Sequence, residues 1–213
     1  MAQRTAAASS RGRTNDPEGL RRRLVDAAYT AFTTRGYHSS ALHDLKRQAG
    51  ATGGALSHHF PTKKELGLAV LRDRVADAVE ETWIKPVLSA ATAAEGIQAV
   101  FAGIVSELER RGGGVSGCPL NNLALELSRE DADFQALVET IFARWRNALA
   151  DKIRADHNAG AGAMNGLDPD AFATFVVAAY SGAMAMAKAS QSTEPLTVCA
   201  GQLAKIIQER HAS

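Results

Sequence analysis

The stretch GATGGALSHHFPTKKEL, Gly50 to Leu66, gathers two adjacent histidines (His58, His59), two adjacent glycines (Gly53, Gly54) and a lysine pair (Lys63, Lys64) within seventeen residues. Three chemistries use such residues: metal ligation, a glycine loop cradling phosphate, and contact with nucleic acid. Metal ligation fits poorly, because neighbours on a helix point about 100° apart and cannot close on one ion. A phosphate loop would end in Gly-Lys-Ser/Thr and follow a strand, and GATGG does neither. What remains is a helix start flanked by Lys46, Arg47, Lys63 and Lys64. There, free backbone N–H groups and positive charge favour phosphate oxygens.

The charge distribution agrees. Residues 1–66 carry eleven Lys/Arg against five Asp/Glu, a net +6, whereas residues 67–213 carry thirteen against eighteen, a net −5. A basic head on an acidic body points one end of the chain at a polyanion. At 213 residues with 46% hydrophobic residues, there is enough chain for a small domain joined to a larger one. Cys118 and Cys199 are too few for a disulfide framework, and residues 1–19 lack the apolar core of a signal peptide, so a cytoplasmic location is expected. The most apolar run, FATFVVAAYSGAMAMAKAS, is short for a membrane span and rich in small residues; it reads as a buried helix, with no membrane partner.

Helix starts and stops organise the rest. Residues 1–15 form a non-periodic basic arm with Arg4, Arg11 and Arg13. Asp16 as N-cap with Pro17 begins a first helix that Gly36 ends; Leu20, Leu24, Ala27, Ala28, Ala31 and Phe32 make its apolar face, opposite Arg21, Arg22 and Arg23. A short second helix runs from about Ala41 to Ala49 with Ser40 as N-cap, and a third follows Thr52 and ends near Phe60. Thr62 and Glu65 form a capping box for a long fourth helix that should break before Pro86. Thr92 and Glu95 box a fifth, Pro119 opens a sixth, Ser128 caps a long seventh, Asp168-Pro169 starts an eighth and Pro195 the last. No segment alternates with period two over a strand's length, so the expected fold is all-α with about nine helices.

Short helices joined by the tight turn AGAT fit a helix-turn-helix, whose second helix lies in the major groove. The segment GYHSSALHDLKRQAGATGGALSHHFPTKKEL, Gly36 to Leu66, resembles the DNA-binding signature of the TetR family of bacterial transcriptional regulators. The matching positions include Gly36-Tyr37, Asp44-Leu45, Ala49-Gly50, Thr52, Gly54, Leu56, His58-His59-Phe60, Lys63 and Leu66. Family members commonly carry Lys where Gly53 stands and Tyr where Ser57 stands, so this head lacks one cation and one long hydroxyl-bearing side chain. The two glycines also weaken the third helix by up to roughly 1 kcal/mol each relative to alanine, so full ordering of that helix is expected on DNA. The resemblance implies a helix-turn-helix domain over 16–66, a long connecting helix, and a helical ligand-binding and dimerisation domain over 67–213. It also implies a homodimer joined through the last two helices, reading a palindromic operator in double-stranded DNA. The stripe Ala179, Gly182, Ala183 and Met186 suits such a helix pairing, and reads alternatively as an intramolecular core.

The segment SGCPLNNLALELS around Cys118 resembles a stretch found in TetR-like sensors of drugs, flavonoids and reactive electrophiles. Cys118 sits at a helix start, where the dipole lowers a thiol's pKa; the alternative is a packed small hydrophobe. On this reading the DNA surface is Arg22, Lys46, Arg47, Thr52, Gly53, Gly54, Ser57, His58 and Lys63. Pocket candidates for an apolar or amphipathic effector are Phe101, Cys118, Asn121, Asn122, Leu123, Leu127, Phe142, Trp145 and Tyr180, each of which reads alternatively as core. No cofactor and no metal site is expected, and no nucleophile–base spacing points to an enzyme. The expected activity is ligand-released repression, with a Cys118 redox or electrophile switch and transcriptional activation as the alternatives.

Overall fold

The computed structural model describes residues 16–112, 114–160, 164 and 166–209, so the basic arm expected over 1–15 lies outside it. Nine helices form among the described residues, with no strand. They are α1 (Pro17–Arg35), α2 (Leu42–Gln48), α3 (Gly53–His59), α4 (63–89), α5 (Ala93–Arg111), α6 (Pro119–Leu127), α7 (Ala132–Asn158), α8 (Pro169–Ser190) and α9 (Glu194–Glu209). The all-α class holds.

Most starts follow the cap residues. Asp16 accepts from the Gly19 N–H at 2.8 Å, Thr52 from Ala55 at 3.2 Å and Asp168 from Ala171 at 2.8 Å. Thr62 and Glu65 make the full reciprocal box. At Thr92 only half of the box forms, the Thr92 hydroxyl accepting from the Glu95 N–H at 3.2 Å, while the next amide, the Ala93 N–H, donates to the buried carboxylate of Asp156 at 2.6 Å, which also pairs with Lys152. Two expected caps are wrong. Ser40 is buried and its hydroxyl donates to the Gly36 carbonyl, leaving Ala41 as the N-cap of α2 without a side-chain bond. Ser128 closes α6 and Asp131 caps α7, accepting from Asp133 and Phe134.

The break expected before Pro86 does not occur. The fourth helix contains two π-helical turns, Leu71–Val75 and Glu80–Ile84, and continues through Pro86 to Ser89. A π turn widens the spiral, so the proline ring, which would strike the carbonyl four residues back in a regular helix, is accommodated.

Helices α1–α3 pack as a small unit around Leu24, Ala28, Phe32, Leu45, Leu56 and Phe60, all buried. Helix α4 buries Leu66, Val70 and Leu71 beside them and carries Val75, Trp83 and Val87 into the core of α5–α9. Gly67 makes the junction possible: a Cβ there would lie 2.9 Å from the Tyr37 and Phe134 side chains, so α4 approaches both only without one. Helix α8 is long and apolar enough to cross a membrane, yet it turns Phe172, Ala173, Val176, Tyr180 and Met184 into the protein core between α7 and α9.

Candidate nucleic-acid interface and regulatory site

Helix α3 buries Leu56 and presents Thr52, Gly53, Gly54, Ser57 and His58 on one exposed face, while His59 is half-buried beside Phe60. A Cβ on Gly53 or Gly54 would meet nothing within 4 Å. Neither residue has the left-handed backbone that favours glycine. The protein's own packing therefore gives no reason for glycine at these positions. The helix is nonetheless formed from Gly53 onward.

The cations expected around this start divide into two groups. Arg22 and Lys46 make no ion pair among the described residues, and Arg47 is exposed, paired only with Asp44 on its own helix at 3.1 Å. Lys63 is turned back: its ammonium lies 4.5 Å from the Tyr37 ring centroid and 3.3 Å from the His38 carbonyl, and partial burial lowers its pKa. Lys64 pairs with Asp131 and Asp133 at 2.7 Å each, and those bonds raise its pKa. Its expected place beside the helix start is thus corrected, because the start of α7 supplies two carboxylates within reach.

The expected pocket residues form no open cavity of their own. Phe101, Leu123, Leu127, Trp145 and Tyr180 are buried in the core, and Phe142, half-buried, stacks parallel to Trp145. The physical reason is mutual burial: the rings fill the space between the helices. Trp83, missed from the sequence, lies at the centre, 4.8 Å from Tyr180, 5.1 Å from Trp145 and 5.5 Å from Phe101. The Trp145 indole N–H is fully buried with no acceptor, and that of Trp83 lies beside the Tyr180 hydroxyl without reaching hydrogen-bond geometry. Each such orphan costs about 1–3 kcal/mol.

Cys118 corrects the expectation of an activated thiol. It is 6% exposed, and burial pushes its pKa up, outweighing the lowering by the Leu120 and Asn121 amides at the start of α6. Asn121 is half-buried there. Asn122 faces α1, where it lines a cavity of about 390 Å³ with Phe32, Thr33 and Gly36; its amide donates to the Ser116 carbonyl at 2.9 Å and the Thr33 carbonyl at 3.4 Å. Glu126, one turn further along α6, accepts from the Tyr37 N–H at 2.8 Å and the His38 N–H at 2.7 Å. Its signal in the sequence was only a polar line at four-residue spacing, Asn122, Glu126, Glu130, beside the buried Leu123 and Leu127.

Among the grooves on the body, two run along α9. One, of about 480 Å³, runs between α8 and α9 and is lined by Ala179, Gly182, Ala183, Met186, Val198 and Cys199. Met186, Val198 and Phe175 are exposed large hydrophobics on these two helices. The other, of about 330 Å³, lies between α5 and α9 over Phe101, Val105, Ser106 and Thr197.

Residues 24–70 match the model of a family described as bacterial regulatory proteins, tetR family. Residues 93–202, half of the chain, match one described as transcriptional regulator LmrA/YxaF-like, C-terminal domain. The HTH-type transcriptional repressor DhaR of Mycobacterium sp. (strain GP1) is 27% identical over 184 residues, spanning 83% of this chain and 86% of that one. LmrA of Bacillus subtilis (strain 168), an HTH-type transcriptional regulator, is 26% identical over 143 residues, 63% of this chain and 71% of that one. A TetR transcriptional regulator from Chloroflexus aurantiacus J-10-FL superposes with a TM-score of 0.77 at 26% identity, covering 90% of this chain and 95% of that one. Escherichia coli NemR in its reduced form shares the fold, with a TM-score of 0.79 at 21% identity, over 88% and 96% of the two chains.

Proposed function

Because the chain belongs to the TetR family of bacterial regulatory proteins, and is a DNA-binding regulator and not an enzyme, we propose that it is a repressor that holds a palindromic operator as a homodimer until a small molecule enters the body. The exposed face of α3 carries this reading: Thr52, Gly53, Gly54, Ser57 and His58 are exposed, and the protein core needs neither glycine. In a helix-turn-helix the start of that helix meets the base edges. Thr52 and the first amides serve phosphate, Arg22, Lys46 and Arg47 supply charge to the backbone, and Lys63 lies at the rim. The functional division falls at Leu66, with the head over 16–66 and the regulatory body over 67–213.

The dimer contact is assigned to the groove between α8 and α9, where Met186 is 62% and Val198 55% exposed. A two-fold pair places two copies of α3 about one DNA turn apart, near 34 Å or a multiple. The effector site is assigned to the aromatic cluster of Trp83, Phe101, Phe142, Trp145 and Tyr180, entered from the groove over Phe101. An apolar or amphipathic molecule with a hydrogen-bond acceptor would relieve the orphan indole N–H groups. To lower operator affinity about 100-fold it must prefer the DNA-incompetent state by about 2.7 kcal/mol. Burial of Cys118 favours reversible binding over thiol chemistry, and repression is favoured over activation by the likeness to DhaR, a transcriptional repressor.

The test is to incubate the purified chain with fragmented genomic DNA of its source at two salt concentrations and sequence what is retained. A palindrome upstream of a few genes, surviving the higher salt, is the expected result. Retention without sequence preference, lost at the higher salt, refutes the proposal.

A further inference from the structure

Helix α6 holds the head by a line of polar side chains on one face. Asn122 gives its amide N–H to the Thr33 carbonyl, one of the last-turn carbonyls of α1 that have no partner within the helix. One turn on, the Glu126 carboxylate takes the consecutive N–H groups of Tyr37 and His38, one on each oxygen. Past the end of the helix, in the turn that follows Leu127, Glu130 meets the His38 ring at 2.9 Å. The chain is shaped for this grip. Gly36 has φ +93°, and a Cβ there would stand 3.3 Å from both Glu126 oxygens. Tyr37, held by the clamp, packs edge-on against Phe32 at 5.0 Å and Phe134 at 5.5 Å, and carries the Lys63 ammonium over its face.

The other face of α6 is buried in the body: Leu120, Leu123 and Leu127 are at most 1% exposed, and Cys118 at its start lies against Tyr180. One nine-residue helix therefore reaches both the aromatic cluster and the loop that sets where α2 and α3 stand. Charge-assisted bonds to two successive amides fix orientation as well as distance, because both N–H vectors must converge on one carboxylate. Leu42 and Leu45 of α2, which follow that loop directly, are packed against the core that α3 shares.

We infer that Glu126, seconded by Asn122, is the positioning residue that sets the angle of each head on the body, and hence the half-site spacing that the dimer accepts. This rests on the reading of the chain as a dimeric palindrome binder. It adds that spacing selectivity resides in α6 of the body, separately from base selectivity, which resides in α3.

The experiment is an in vitro selection of binding sites with the full chain, wild type against Glu126→Ala, Glu126→Gln and Asn122→Ala. It is followed by affinities on the selected site with one base pair inserted between the half-sites, which rotates them by roughly 34°. Wild type should lose at least roughly tenfold in affinity on the insertion, and Glu126→Ala less than about threefold, in keeping with loss of charge-assisted hydrogen bonds. The base preference within each half-site should not change. Glu126→Gln, which keeps one acceptor oxygen, and Asn122→Ala should fall between. If wild type selects a palindrome and all three variants keep its spacing as strictly, the inference is overturned while the repressor reading stands. If wild type selects no two-fold site, that reading falls and the inference with it. A variant that loses its base preference together with its spacing shows a head that has come apart, and if Glu126→Gln and Asn122→Ala both do so the inference is likewise overturned.

Discussion

Replacing both Gly53 and Gly54 by alanine should stabilise the protein and weaken its hold on DNA, two effects of opposite sign from one change. Neither new methyl meets an atom of the protein within 4 Å, and neither glycine has a positive φ. Helix propensity is therefore the intramolecular term that changes, at about 0.5 kcal/mol per residue in the first turn, the lower end of the glycine-to-alanine range. Both together add about 1 kcal/mol, which for a chain of this size raises Tm by about 2–4 °C. If the helix start lies against DNA, each methyl intrudes where backbone now approaches. A loss of about 1 kcal/mol per head, doubled over two heads, weakens operator binding roughly 30-fold. Differential scanning fluorimetry and fluorescence anisotropy on the selected operator read the two quantities on one sample. A higher Tm with unchanged or tighter DNA binding would place the glycines away from the duplex and refute the argument. A lower Tm would show that α3 needs glycine for a reason internal to the fold.

Arg47→Ala should flatten the dependence of log K on log salt by about 0.9 per lost phosphate contact, or about 1.8 for two heads; Lys63→Ala should change it less, since that ammonium is engaged with Tyr37 and His38. Equal changes measured by anisotropy between 50 and 300 mM salt would show that Lys63 swings out onto DNA. In the native protein, iodoacetamide at pH 8 should leave Cys118 unlabelled until the chain is unfolded, as read by peptide mass spectrometry. Because burial raises the Cys118 pKa above its ordinary 9.0, the folded state holds that proton more tightly than the unfolded chain does. Its contribution is thus intact below about pH 9 and lost above it. The urea midpoint should fall from pH 8 to pH 10, and less steeply in Cys118→Ala; prompt labelling of Cys118 or an equal slope in the variant contradicts the burial argument.

What the sequence made legible is what lies within four residues along the chain. Asp16, Thr52, Thr62 with Glu65, and Asp168 each bond an amide three positions on, so residue type and spacing suffice to find them. The errors arise where a distant group outcompetes the local one. At the start of α5 the Ala93 N–H is taken by Asp156, sixty-three residues further along, a partner that no local spacing reveals. Lys64 was read as free beside α3, but it meets the carboxylates that begin α7. Pro86 was read as a stop because a regular helix would reject it, and the π turn that admits it leaves no mark in residue types. The candidate site divides in the same way. Thr52, Gly53, Gly54, Ser57 and His58 were legible because a single short helix arranges them by its own period. Glu126 was not, since its partners Tyr37 and His38 lie eighty-nine and eighty-eight residues earlier and offer only backbone, which every residue carries. Residue types reveal a surface that touches DNA more readily than the joint that aims it, because recognition uses side chains on one element whereas aiming uses geometry between two. Variants along Asn122, Glu126 and Glu130 therefore separate aiming from contact in a way that variants of α3 cannot.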